Sequence, residues 1–330
     1  MNIHWVQNPE GKLKNDWNDF VRNNAKSNFF QSSEFVSLYH QNGYNVQTIV
    51  GYFDDQVVAS YNILLLEENL GPFRFLTRRA VCWGLPLFTS EEYLMPLLRK
   101  VLALYQKAFI YWEIRPLDIL LEAEISSLTE LGFIVHQHYT IFHKIDQSQF
   151  ENYHSGRKKN IRRALRNEHF HFRELTEKHE YLEAGKMIVQ LYKSLKLPCP
   201  NDEFFLSTYD FSSVRCFAIY HEAEIVACRF VLLQNTSIYD WYAANNSVGK
   251  NKYANDLIVH NIFQWGKENG FKHFDFGGAG NRKTPYGVRD YKLKFGGELI
   301  EIGRPVYIRS NFLYKIGKFG FWITKRLRKL

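Results

Sequence analysis

The chain repeats itself, and that repeat constrains the fold more than any other feature. Val57–Leu66 comes after a polar turn at Asp54-Asp55, and Ile225–Leu233 after one at His221-Glu222. An aromatic and apolar run precedes each turn, Ile49–Phe53 in one case and Val214–Tyr220 in the other, so both segments read as β-hairpins. The elements after each hairpin also match in order. The first copy continues with a strand at Ala80–Trp83, a helix at Pro96–Lys107, a strand at Phe109–Ile114, a helix at Leu121–Leu131 and strands at Phe133–Lys144. The second has a strand at Ser237–Ala243, a helix at Tyr253–Asn269, a strand at Phe271–Phe276 and strands from Gly297 to Ile308. Ile258, Ile262 and Trp265 share one helical face and Gly270 supplies a stop, while Pro96 suits a first helical turn, where its missing N–H costs nothing. We therefore expect a duplicated α/β fold, with domains at 1–150 and 151–330.

Charge divides along the same line. Residues 1–150 hold 12 Lys/Arg against 16 Asp/Glu, and residues 151–330 hold 30 against 18, so a net charge of +8 combines −4 with +12. The second half is the one built to meet a polyanion or an anionic surface. With 27 Phe, 20 Tyr and 7 Trp the chain can bury enough apolar surface to offset its ordering entropy, which excludes disorder. No apolar run reaches the roughly 18–20 residues that span a bilayer. Met1–Gly11 has no apolar stretch of the kind a secretory signal carries, so we expect a cytoplasmic protein. Cys82, Cys199, Cys216 and Cys228 stand far apart, and the twelve histidines form no H-x-x-x-H pattern, so neither a disulfide framework nor a metal site is expected.

Three segments resemble a known family. They are Phe29-Phe30-Gln31-Ser32-Ser33-Glu34-Phe35; the basic stretch Arg157-Lys158-Lys159-Asn160-Ile161-Arg162-Arg163-Ala164; and Phe274-Asp275-Phe276-Gly277-Gly278 followed by Tyr291-Lys292-Leu293-Lys294-Phe295-Gly296-Gly297. Together with the element order, they resemble the Fem family of peptidoglycan-bridge aminoacyltransferases and related double-domain acyltransferases of the GNAT superfamily. The resemblance implies an α/β chain of two GNAT-like domains (the acyl-CoA N-acyltransferase fold) with mixed, mostly antiparallel sheets. It also implies acyl transfer to an amine, with Lys292 at the reacting oxygen and Gln31 near substrate. Departures accompany it. Tyr39 stands where muropeptide-binding members usually carry Lys, the helical arm inserted in some members is missing, and Asn251–Asp256 lacks the glycine-rich R/Q-x-x-G-x-G/A loop of acyl-CoA enzymes. Those glycines let backbone amides close around a pyrophosphate at a helix N-terminus.

Acyl transfer passes through a tetrahedral oxyanion, which a fixed cation stabilises. We therefore read Lys292 as the catalytic cation, on a strand shared with Lys294, with Tyr291 and Phe295 walling the acyl end. Asp275, at a strand end, is placed to orient the attacking amine or accept its proton. Tyr39, Tyr242, Tyr253 and Asn255 complete the substrate-binding set. Arg157, Lys158, Lys159, Arg162, Arg163 and Arg166 form a stripe suited to tRNA or another polyanion. The donor is aminoacyl-tRNA or acyl-CoA, with no tightly bound cofactor, and the acceptor an amine of a cell-envelope precursor, lipid-linked or free. Residues 311–330 carry Lys315, Lys318, Lys325, Arg326, Arg328 and Lys329 among Phe312, Ile316, Phe319, Phe321, Trp322 and Ile323, with no acid. That pattern suits either core packing or a helix lying on the anionic inner face of a membrane. Two alternatives stay open: acyl-CoA-dependent N-acylation of a sugar or lipid, and a non-catalytic module binding RNA or glycolipid.

Overall fold

The computed structural model describes residues 2–69, 71–282 and 284–327, with 321–327 as backbone only. The strands are β1 (His4–Gln7), β2 (Asn45–Phe53), β3 (Gln56–Leu66), β4 (Arg79–Trp83), β5 (Leu87–Phe88), β6 (Tyr111–Arg115), β7 (Phe133–His136), β8 (Tyr139–Lys144), β9 (Phe170–Glu174), β10 (Val214–His221), β11 (Glu224–Gln234), β12 (Ser237–Asn245), β13 (His273–Gly280), β14 (Glu298–Glu301) and β15 (Arg304–Ile308). The helices are α1 (Gly11–Asn23), α2 (Ser33–Gln41), α3 (Leu94–Tyr105), α4 (Glu122–Glu130), α5 (Ser155–Leu165), α6 (Lys178–Ser194), α7 (Asp202–Ser207), α8 (Ser247–Asn251), α9 (Ala254–Glu268), α10 (Gly287–Leu293) and α11 (Asn311–Leu327).

Two compact units result, residues 138–301 forming one and residues 1–137 with 302–330 the other. The first sheet runs β1-β2-β3-β4-β6-β15-β7, with β5 on the side of β3, and the second, read in the same sense, runs β9-β10-β11-β12-β13-β8-β14. The two orders correspond place by place, and in each only one pair is parallel, β4 with β6 and β12 with β13. The duplication is therefore real in three dimensions. The expected division at 150 is corrected, however. β8 leaves the first copy to pair between β13 and β14, and β15 leaves the second to pair between β6 and β7. Each sheet takes its sixth place from the other half of the sequence. Alternation marks β8 and β15 as strands but not which open edge they fill.

Local rules account for the elements themselves. Asp54 and Asp55 both take positive φ (49° and 58°), as a two-residue hairpin turn demands, and Phe53 then pairs with Gln56. In α3, Leu94, Leu97, Leu98 and Val101 are buried on one stripe, and in α9 Leu257, Ile258, Ile262 and Phe263. Each such side chain contributes about 1.5–3 kcal/mol relative to exposure, so these two helices hold their sheets' cores together. Among the described residues, no helix is long and apolar enough to cross a membrane.

Candidate active site

The two parallel pairs differ where it matters. In the first unit, β4 and β6 stay paired from Arg79 with Tyr111 to Trp83 with Arg115, and Gly84 extends the contact by donating to the Arg115 carbonyl. In the second, β12 and β13 pair only from Ser237 with His273 to Tyr239 with Asp275. Beyond that point the strands diverge, β12 running on to Asn245 and β13 to Gly280. β12 bulges against β11 at the start of the fork, between the pairs Val231–Asp240 and Phe230–Tyr242. Gly277, at φ 67°, adopts a backbone that other residues enter only with strain.

Lys292 fills the fork from α10. Its ammonium donates to the carbonyls of Phe276 (2.6 Å), Gly278 (3.0 Å) and, more weakly, Gly277 (3.4 Å), which is where β12 has parted from β13. Burial pushes this lysine below its ordinary pKa, while the carboxylates of Asp240 and Asp275 hold it partly up. Asp275 is buried, and its Oδ1 accepts from Thr140 Oγ1 and from the Gly277 amide (2.8 Å), pinning the turn that presents the carbonyls. The Tyr291 hydroxyl donates to the Asn255 carbonyl (3.0 Å) and accepts from the Asn255 side chain (2.8 Å), and burial raises its pKa. Asn255 in turn accepts from Arg229 (2.9 Å), whose other nitrogen meets Asp240 at 2.5 Å. That pair is nearly dry, at 4% and 10% side-chain exposure, and Asp240 Oδ1 is buried with no hydrogen-bond partner.

Several expected roles change. Lys292 lies on a helix rather than a strand: Gly287–Leu293 makes about two turns after Tyr286, anchored by Arg289 donating to the carbonyls of Asn281 and Thr284. Phe295 is fully buried against Tyr153, Phe263, Phe276 and Tyr291. Arg157 leaves the polyanion stripe altogether. It is 5% exposed, ion-paired with Asp256, bonded to the Tyr291 carbonyl, and stacked 4.2 Å over Tyr291 and 4.4 Å over Phe295. The rest of the stripe does face outward. Lys159, Arg162, Arg163 and Arg166 are exposed, while half-buried Lys158 donates to the Glu151 carbonyl. Arg163 also donates to the Tyr253 hydroxyl, and Arg163, Arg166, Asn167, Lys252 and Tyr253 line an open hollow of about 320 Å³.

Tyr242 packs among Tyr192, Phe205 and Trp241. Gln31 and Tyr39 belong to the first unit. Gln31 is buried and donates to the Leu85 carbonyl, and Tyr39 is buried against Phe35 and Tyr44. Arg229 and Asp240 are absent from the residues that the sequence singles out, though a lone arginine inside the apolar run Ile225–Leu233 is a usable signal. Among the described residues no group of three His, Cys, Asp or Glu is arranged to hold a metal ion.

The entrance to α9 lacks the glycines that would close around the pyrophosphate of an acyl-CoA. The amides of Gly249, Lys250, Lys252, Tyr253, Asp256 and Leu257 are already bonded to local acceptors. Asp256, buried in the first turn, is held by Arg157 and by the Asn160 side chain (2.9 Å) of α5.

A family model described as the acetyltransferase (GNAT) domain matches residues 155–293, from α5 to the end of α10. The second unit is a GNAT acyltransferase domain. The same fold extends over both units. A crystal structure of FemX is 13% identical with a TM-score of 0.72, covering 94% of this chain and 99% of that one. The C-terminal domain of a putative lysylphosphatidylglycerol synthetase from Agrobacterium fabrum is 12% identical (TM-score 0.60; 92% and 93% covered). A tandem GNAT protein from the clavulanic acid biosynthesis pathway is 8% identical (TM-score 0.56; 94% and 99% covered). At these identities the likeness is one of fold: two GNAT units in tandem. No curated protein matches the sequence. The GNAT unit is thus an acyltransferase domain whose fork carries a lysine and whose α9 entrance lacks the glycine-rich loop.

Proposed function

We propose that the second unit transfers an aminoacyl group from tRNA to an amine of a cell-envelope precursor. The observation that carries this reading is the open fork between β12 and β13 with the Lys292 ammonium fixed inside it. In the reaction the amine nitrogen attacks the ester carbonyl and the carbonyl oxygen becomes an oxyanion. Collapse then expels the ribose hydroxyl, and the proton lost by the amine ends on that leaving oxygen. A cation held rigidly by carbonyls needs no reorganisation to stabilise that oxyanion. Lys292 can exchange its long bond to Gly277 for the developing charge, while Asp275 keeps the turn in place and the Asn255–Tyr291–Arg229 network fixes α10 against α9.

The missing glycine-rich loop at the α9 entrance favours a tRNA-borne group over acyl-CoA, and the cations around the nearby hollow suit a phosphate backbone. The envelope acceptor rests on the Fem-like motifs and on structural neighbours named FemX and a putative lysylphosphatidylglycerol synthetase. The test is to incubate the protein with labelled aminoacyl-tRNA or labelled acyl-CoA and a cell-envelope extract. RNase-sensitive transfer, lost in Lys292→Ala, is expected. Transfer from the thioester alone would replace the tRNA donor with acyl-CoA. No transfer from either would leave a binding module.

A further inference from the structure

The C-terminal helix α11 has two apolar faces where one would suffice to dock it. One face rests on the first unit. The Tyr314 ring packs 5.2 Å from that of Tyr111, and Gly317 lies so close to the Leu76 carbonyl that a Cβ there would come within 2.8 Å of it. Phe312, Ile316 and Phe319, spaced four and three residues apart, form a second stripe roughly opposite the first. Their exposures are 73%, 37% and 62%. The 3₁₀ turn Gly71–Thr77, on which Gly317 rests, adds Phe73 and Phe75 at 62% and 42%.

Charge decides what covers this surface. Asn311–Leu327 holds Lys315, Lys318, Lys325 and Arg326 and no acid, and Lys315 and Lys318 are exposed. The acids beside the turn are engaged already, Glu67 by Arg74 and Arg78, and Glu68 by Arg79. Two copies meeting through this face would bring like charges together, whereas an anionic bilayer satisfies both the rings and the lysines. We propose that α11, with the turn at 71–77, is an interfacial platform that seats the protein on anionic lipid. The outward stripe enters the headgroup boundary and the lysines lie at the level of the phosphates. The side chains of residues 321–330, which continue the same pattern in the sequence, lie outside the described ones, and the proposal stands without them.

The experiment is co-sedimentation of the full chain with phosphatidylcholine vesicles, with and without phosphatidylglycerol, over a salt series. It does not depend on acyl transfer. Binding is expected only with phosphatidylglycerol and should weaken as salt rises. Lys315→Glu with Lys318→Glu should cost at least tenfold, since each lysine near an anionic surface is worth about fivefold. Phe312→Ser, Ile316→Ser and Phe319→Ser together should abolish binding even at low salt, with a thermal melt run beside it to show that the variant is folded. Equal binding to both vesicle types, binding retained by the triple variant, or no vesicle binding at all would overturn the proposal. So would a wild-type dimer in sedimentation equilibrium that the triple variant loses, since that would assign the face to a second copy.

Discussion

Lys292→Gln separates two things the lysine does. The amide keeps a donor for the carbonyls at the end of β13 and removes the charge. In the wild type, two good charge-assisted bonds (2.6 and 3.0 Å) and one long one (3.4 Å) hold those carbonyls. Such bonds contribute about 1.5–3 kcal/mol each in a dry site, but Lys292 is only half-buried and water can replace part of them. We therefore expect Lys292→Gln to cost about 1–2 kcal/mol of stability and Lys292→Ala about 2–3. The catalytic loss should be larger than either. A unit charge about 4 Å from an oxyanion is worth about 4 kcal/mol at an effective dielectric constant near 20, or roughly a thousandfold in rate. Removing one oxyanion donor typically costs about 10²–10³ in kcat, which agrees. The assay is single-turnover transfer of the labelled group from aminoacyl-tRNA, run beside urea unfolding of each variant. If Lys292→Gln transfers within about threefold of wild type, the charge is not what catalyses the reaction. Lys292 would then be only a brace for β13.

The same geometry makes three further outcomes testable. Since the lowered pKa of Lys292 brings its deprotonation below the ordinary lysine range, transfer should fall on the alkaline side before pH 10.5. A pH–rate profile should show Lys292→Arg losing that limb and Asp240→Asn, which removes a carboxylate that raises the pKa, moving it lower. Asp240→Asn should also destabilise the protein by about 3–5 kcal/mol, because it leaves Arg229 buried and uncompensated; replacing both residues with apolar ones of similar size should cost less in the same urea titration. Arg157→Ala should cost a similar amount through Asp256, whereas Arg163→Ala with Arg166→Ala should leave stability within about 0.5 kcal/mol. In filter binding of tRNA, that second pair should lower the salt slope by about one unit per arginine.

The secondary structure is largely legible in the sequence because it arises from short-range chemistry. The turn at Asp54-Asp55, the apolar stripes of α3 and α9 and the basic α5 all lie where local pattern puts them. Residue 292 reads as a strand position because Tyr291–Phe295 alternates in polarity as a strand does, whereas the short helix there is held by Arg289 reaching back to Asn281 and Thr284. Arg157 is indistinguishable from Arg163 within a run of cations. Only the fold shows that one is buried on Asp256, ninety-nine positions later in the chain, while the other stays exposed beside the Tyr253 hydroxyl.

By itself the sequence determined that there are two copies of one α/β pattern, which copy is basic, and which motifs surround the lysine. Periodicity and turn chemistry act over a few residues, so they survive in a linear reading. Tertiary structure alone decided that β8 and β15 change sheets, because strand pairing is set by which edge is open rather than by the strand's own residues. It also decided that β12 and β13 part after Tyr239 and Asp275 while β4 and β6 stay closed. That difference accompanies a bulge in β12 against β11, and it leaves only the second unit with a fork between its parallel strands.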